Sequence, residues 1–163
     1  MAEVYLGIGS NMGDRQANID RALSLLKENK DIEVVVVSSL MESEPEGGVL
    51  QDKFLNGAIH VRTELLPPEL LSRVKTVERR RGRQKGPANA PIPMDLDILF
   101  YDDVVIVDGK TLSIPHPRLE KRHFVLKPLS EIAPDFLHPR LKKTVRELLE
   151  ELTHESHPAR SSA

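Results

Sequence analysis

Asp95 and Asp97 stand two residues apart in the run Pro93-Met94-Asp95-Leu96-Asp97-Ile98-Leu99-Phe100-Tyr101. Side chains of a β-strand alternate between faces, so the two carboxylates point to the same side and converge. Leu96, Ile98 and Phe100 then take the opposite face and give the strand an apolar reason to be buried, which leaves the acids near its start, at a rim. Two carboxylates this close repel unless a proton or a cation lies between them. Hard oxygen donors suit Mg²⁺, which commonly binds few carboxylates together with substrate phosphates. The alternative is a solvated strand end or an N-terminal turn.

Other side chains with chemistry flank this pair in the chain. On residues 54–63, Phe54, Asn56, Ala58 and His60 share one strand face, while Leu55, Gly57, Ile59 and Val61 share the other. An aromatic ring beside a carboxamide offers a flat heterocycle a stacking surface and a paired donor and acceptor. A core phenylalanine beside a solvated asparagine is the other reading. Arg79, Arg80, Arg81, Arg83 and Lys85 crowd the end of a helix. The helix macrodipole favours cations there, and arginine forks also match the oxygens of a polyphosphate. Pro115-His116-Pro117-Arg118, followed by Arg122, His123 and Phe124, is a rigid loop carrying a histidine and arginines.

The elements that must hold these groups follow from spacing and breakers. Residues 4–8 form an apolar strand that enters the tight loop Gly7-Ile8-Gly9-Ser10-Asn11-Met12-Gly13. Asp14 caps a helix in which Ile19, Ala22, Leu23 and Leu26 recur at helical spacing. Residues 32–40, with four consecutive valines, read as a buried strand, and residues 42–48 as a polar loop before the strand at 54–63. Pro67-Pro68 opens a second helix with Leu70, Leu71, Val74 and Val77 as its stripe and Gly82 as its stop. Residues 86–93 are a proline-rich loop delivering the chain to Asp95. Asp102-Asp103 turns the chain into a returning strand at 104–107, Asp108-Gly109 turns it again, and residues 111–114 make another short strand. Residues 126–132 and 145–152 read as helices. The β-α-β-β-α-β order predicts an α+β fold, a ferredoxin-like antiparallel sheet with helices on one face and added hairpin strands.

Composition narrows the class. The 163 residues fit one domain, expected over 1–152, with a frayed tail at 153–163. Aromatics are 4% and charged residues 29%, so the core rests on Leu, Ile and Val. A net charge of −2 exerts no global pull toward nucleic acid or an anionic membrane. There is no cysteine, which excludes disulfides and thiolate metal sites. No stretch approaches the roughly 20 apolar residues of a membrane span, and no basic-then-apolar leader opens the chain. The expectation is a soluble cytoplasmic protein, a monomer or weak homodimer.

Five pieces, in order and at matching spacing, give the chain a family likeness over residues 4–152. They are Gly9-Ser10-Asn11, Phe54-Leu55-Asn56, Glu78 with Gly82-Arg83, Asp95-Leu96-Asp97-Ile98-Leu99, and Pro115-His116-Pro117-Arg118 through Arg122-His123-Phe124-Val125-Leu126. Together they resemble 6-hydroxymethyl-7,8-dihydropterin pyrophosphokinase of folate biosynthesis. The resemblance implies an ATP-dependent transfer of diphosphate to the pterin hydroxymethyl group with release of AMP. It assigns Asp95 and Asp97 to two Mg²⁺ ions, and names them with Arg83 as catalytic. Phe54 and Phe124 would sandwich the pterin, with Asn56 and the backbone of Glu44, Pro45 and Glu46 on its edge. Lys75, Glu78, Arg83, Lys85, Ile98, His116, Pro117 and Arg122 would meet ATP. The family pattern Trp-Gly-Pro-Arg before the acid pair is absent; residues 89–92 read Asn-Ala-Pro-Ile, leaving Arg80, Arg81 or Lys85 as substitute cations. That departure keeps open a non-catalytic pterin- or nucleotide-binding member of the fold. An RNA-binding ferredoxin-like protein is a third reading, disfavoured by the near-neutral charge and by only four phenylalanines.

Overall fold

The computed structural model describes residues 1–11, 13–43, 53–81, 94–108 and 111–155. Among the described residues the chain runs β1 (Ala2–Ser10), α1 (Arg15–Glu28), β2 (Ile32–Val37), β3 (Met41–Ser43), β4 (Phe54–Thr63), α2 (Pro67–Arg81), β5 (Asp95–Tyr101), β6 (Ile106–Asp108), β7 (Leu112–Ile114), α3 (His123–Ile132) and α4 (Val145–Glu155). β2, β4, β1 and β5 lie in that order in one antiparallel sheet, with β3 also paired to β4. This is the expected α+β, ferredoxin-like arrangement. No helix among the described residues is long and apolar enough to cross a membrane.

The apolar residues sort by sheet face. Val4, Leu6 and Ile8 of β1, Ile59 and Val61 of β4, and Leu96 and Ile98 of β5 pack against Ile19, Ala22 and Leu26 of α1 and Leu70, Val74 and Val77 of α2. Each fully buried aliphatic side chain there contributes about 1.5–3 kcal/mol of transfer free energy. Those two helices are the layer the sequence predicts. α3 and α4 add a second layer on the opposite face, where Leu126, Leu129, Val145 and Leu148 cover Tyr5, Ala58 and Phe100.

β5 breaks its alternation once. Tyr5 pairs with Phe100 but Leu6 pairs with Ile98, so Leu99 is an extra residue in a β-bulge. The bulge turns Leu99 and Phe100 to the same side, and both join the α3/α4 cluster. Even alternation places Phe100 with Leu96 and Ile98; the bulge moves it to the other face. The bulged carbonyl of Leu99 accepts the backbone N–H of His116 at 3.0 Å, which draws the His116 loop onto the strand.

Several boundaries also move, β1 among them, which runs over Ala2–Ser10 rather than 4–8. The strand expected over 32–40 stops at Val37, because the Ser38 hydroxyl accepts the Ala58 N–H at 2.8 Å in place of a ladder bond. Leu40 then crosses close to Gly57, where an added Cβ would lie 2.6 Å from Leu40 Cδ2. The strand expected to return from Asp102 along β5 pairs instead with β7. Asp102 remains on β1, exchanging bonds with Glu3 at 2.8 Å through its own N–H and its carboxylate. α3 starts three residues early, at His123, because the Arg122 carbonyl accepts the N–H groups of Val125 and Leu126 at 3.0 Å. α4 extends to Glu155; Gly109 and residues 156–163 of the expected turn and tail lie outside the described residues.

A buried histidine locks the turn before α4. His138 is 3% exposed, its Nδ1 accepts the N–H groups of Arg140 and Leu141 at 3.1 Å, and its ring meets Phe100 edge-on. Burial pushes the imidazole pKa below its ordinary value, against an opposing pull from Glu120. The folded state therefore holds the ring neutral, whereas the unfolded chain takes up a proton near about pH 6.5. This stabilisation is present above that pH and is lost as pH falls; His116, also shifted down by burial, acts in the same direction. Thermal melting of the wild type should fall between about pH 7 and 5.5, before most carboxylates titrate. His138→Asn, which keeps an acceptor without titrating, should show a shallower acid slope, and His138→Ala should lose about 1–3 kcal/mol at pH 8.

Candidate active site

Cross-strand register brings the chemistry-bearing residues to one end of the α3/α4 face. Gly9 of β1 pairs with Asn56 on one side and Asp95 on the other; Gly7 pairs likewise with Ala58 and Asp97. Directly paired residues share a face, and neighbouring strands lie about 4.8 Å apart. Asn56 and Asp95 are thus separated by about 10 Å of sheet whose middle strand carries no side chain. The glycines are the floor of a cleft of about 340 Å³, with Phe54 and Asn56 on one wall and Asp95, Asp97 and His116 on the other. Arg122, just before α3, and Phe124 in its first turn also line it.

The carboxamide on β4 is held in place. Asn56 is 5% exposed, its Nδ2 donates to Ser43 Oγ at 2.7 Å, and its Oδ1 sits where a Cβ on Gly9 would approach to 2.8 Å. The absence of a side chain at residue 9 is therefore a steric requirement of this amide position.

The acid pair on β5 is held from below by α2. Glu78, 7% exposed, accepts the Leu96 N–H on Oε2 at 2.6 Å, and Lys75 Nζ donates to the same oxygen at 3.1 Å. Lys75 also reaches the Leu96 carbonyl at 3.3 Å and lies 3.7 Å from Asp97 Oδ1. Leu96, the residue between the two aspartates, is thus gripped at both its N–H and its C=O. Asp95 opens to solvent at the cleft, yet the surrounding protein pushes its carboxyl pKa up, with the charges of Asp97 and Glu78 adding and Lys75 opposing. Among the described residues no group of three or more His, Asp and Glu side chains forms a metal cage. The donor set the chain presents is two hard carboxylates on one strand face.

Beside the acid pair, burial holds the His116 imidazole toward its neutral form, Asp97 opposing and Arg122 and Arg118 assisting. The Arg122 guanidinium lies 5.7 Å from the Phe124 ring centroid, a cation–π distance.

Of the residues singled out from sequence, Phe54, Asn56, Asp95, Asp97, His116, Arg122 and Phe124 come together in the cleft. Lys75 and Glu78 lie beneath β5, and Pro117 is exposed beside His116. The Ile98 side chain is in the α1/α2 core, 4% exposed, which leaves its backbone for any nucleotide contact. Glu44, Pro45, Glu46, Arg83, Lys85 and residues 89–92 lie outside the described residues. Sequence reasoning missed Ser43, whose role shows only once β3 is paired to β4, and Leu99, whose bulge anchors His116.

Residues 5–134 match the family model of the 7,8-dihydro-6-hydroxymethylpterin-pyrophosphokinases (HPPK). The chain belongs to this family. It is 44% identical over 153 residues to the 2-amino-4-hydroxy-6-hydroxymethyldihydropteridine pyrophosphokinase of Aquifex aeolicus, covering 94% of both chains. The Bacillus subtilis protein of the same name is 40% identical over 128 residues, which are 78% of this chain and 76% of that one. Pyrophosphokinase activity in folate biosynthesis follows from this membership. A triple mutant of Plasmodium falciparum HPPK-DHPS with SDX-DHP has the same fold, with a TM-score of 0.78 at 18% identity; it matches 97% of this chain but only 46% of its own.

The glycine floor makes a test possible within this pyrophosphokinase. Gly9→Ala drives a methyl group into Asn56 Oδ1, whereas Gly7→Ala meets the flexible end of Leu99 at 3.3 Å. Steady-state assays should show kcat/KM reduced at least about tenfold by Gly9→Ala, about 1.4 kcal/mol, and by less than about threefold by Gly7→Ala. Equal losses would show that the Asn56 contact does not matter.

Proposed function

We propose that the cleft holds the pterin ring between Phe54 and Phe124 with its edge on Asn56, and the ATP phosphates over Asp95 and Asp97. The observation that supports this most is the row Asn56, Gly9, Asp95 across three strands. It sets an amide for a heterocycle and an acid pair for a metallated phosphate on a common floor, about one small substrate apart.

The donor chemistry at β5 fits Mg²⁺: two hard carboxylates on one strand face, with burial first and then the charges of Asp97 and Glu78 raising the Asp95 pKa. Asp95 and Asp97 would hold the metal, two ions by family likeness; when bound it neutralises phosphate charge and aligns the attacking and leaving oxygens. The rest is positioning, which is what phosphoryl-type transfer mainly asks of a protein. Lys75 and Glu78 fix the backbone of Leu96, the residue that sets the spacing of the acids. Arg122 supplies a fixed cation for phosphate oxygens. The neutral His116 ring, with Nδ1 toward the Arg118 N–H at 3.5 Å, carries its proton on Nε2 as a donor to phosphate. The hydroxymethyl oxygen of 6-hydroxymethyl-7,8-dihydropterin forms a bond to the β-phosphorus of ATP and gives up its proton. The bond from that phosphorus to the oxygen of the α-phosphate breaks, and AMP leaves.

The test is AMP release from Mg²⁺-ATP with and without the pterin, beside Asp95→Ala and Asp97→Ala. Pterin-dependent AMP in the wild type should fall by at least about a thousandfold in either variant, about 4 kcal/mol. Pterin binding without AMP release would instead favour a binding-only protein, and unchanged turnover in the variants would remove the acid pair from the mechanism.

A further inference from the structure

Arg15 opens α1 where a cation is disfavoured, at the positive end of the helix dipole and with no acid in the first turn. The helix does not need it as a cap, since Asp14 Oδ1 already accepts the Ala17 N–H at 3.0 Å. Its guanidinium is committed elsewhere. Nη2 donates to Glu42 Oε2 at 2.8 Å, and Nη1 donates to the Lys53 carbonyl at 2.8 Å.

Those two partners sit next to the substrate-facing residues. Glu42 precedes Ser43 and Lys53 precedes Phe54, and Ser43 and Phe54 are themselves paired across β3 and β4. β3 has three residues, too short a ladder to fix its own position firmly. A rigid fork making two charge-assisted bonds through separate nitrogens constrains both distance and direction at the open end of that ladder. The Arg15 guanidinium also holds the Glu42 carboxyl below the usual carboxylate range, so the pair stays charged at neutral pH.

We propose that Arg15 is a positioning residue for the pterin. By tying Glu42 to the Lys53 carbonyl it sets the spacing of Ser43 and Phe54. Ser43 in turn orients the Asn56 amide through the 2.7 Å bond to its hydroxyl. The inference rests on the pterin reading of this wall of the cleft.

The experiment compares Arg15→Ala, Arg15→Lys, Glu42→Gln and the Arg15→Ala/Glu42→Gln double variant with the wild type and with Asn56→Ala. It measures kcat, the KM for pterin and for ATP separately, and thermal melting. Arg15→Ala should raise the pterin KM about tenfold and leave the ATP KM within about twofold, the size of a lost charge-assisted bond. Arg15→Lys, a single point donor, should restore only part of that loss. The double variant should be little worse than Arg15→Ala, because both changes remove the same link. A wild-type pterin KM in Arg15→Ala overturns the inference, as do parallel rises in both KM values that track a lower melting temperature. An Asn56→Ala variant with unimpaired pterin binding overturns the reading of the cleft, and the inference with it, without reference to Arg15.

Discussion

The Leu96 N–H donates to the buried carboxylate of Glu78 at 2.6 Å, and the site depends on that bond. A buried carboxylate is costly unless it is paired and its oxygens are bonded; here the peptide amide and the Lys75 ammonium meet both conditions at one oxygen. The result is a weld between α2 and the strand, made at Leu96, the residue that separates Asp95 from Asp97. Three carboxylates, Asp95, Asp97 and Glu78, are thereby gathered beside the Lys75 ammonium. Burial, with the charges of Asp97 and Glu78 adding to it, raises the Asp95 pKa.

The second half of the site depends on what β1 lacks. Gly7 and Gly9 remove side chains from the central strand, so that Asn56 and the acid pair face each other across an open floor. The bulge at Leu99 then lets one strand serve two purposes. Asp95 and Asp97 keep their alternation toward the cleft, while Phe100 turns into the α3/α4 core and the freed Leu99 carbonyl fastens the His116 loop. Bulges beside active sites commonly re-aim side chains in this way.

Much of this was legible in the chain because its signals are periodic or steric. Period-two alternation put Asp95 and Asp97 together, and Phe54 with Asn56; helical spacing and the Asp14 cap defined α1; Pro67 and its apolar stripe defined α2. What escaped depends on pairing between distant segments. Leu99 and Phe100 are both apolar, so no pattern distinguishes a bulge from regular strand. Ser43 in a polar stretch is indistinguishable from any loop serine until β3 is seen beside Asn56. α3 and α4 could be found as helices, but which sheet face they cover is decided by Tyr5, Ala58 and Phe100, residues on three different strands. Arg15 did leave a trace, a cation at a helix N-terminus, whose meaning appears only when Glu42 and Lys53 are in place.

The central claim is that the acid pair on β5 exists to bind a metallated nucleotide. Calorimetric titration of a non-hydrolysable ATP analogue, with and without Mg²⁺, into the wild type, Asp95→Asn and Asp97→Asn tests it without relying on turnover. The account predicts Mg²⁺-dependent binding in the wild type that weakens at least about 100-fold in either variant, about 2.7 kcal/mol. Nucleotide binding of wild-type strength and unchanged Mg²⁺ dependence in both variants would contradict it.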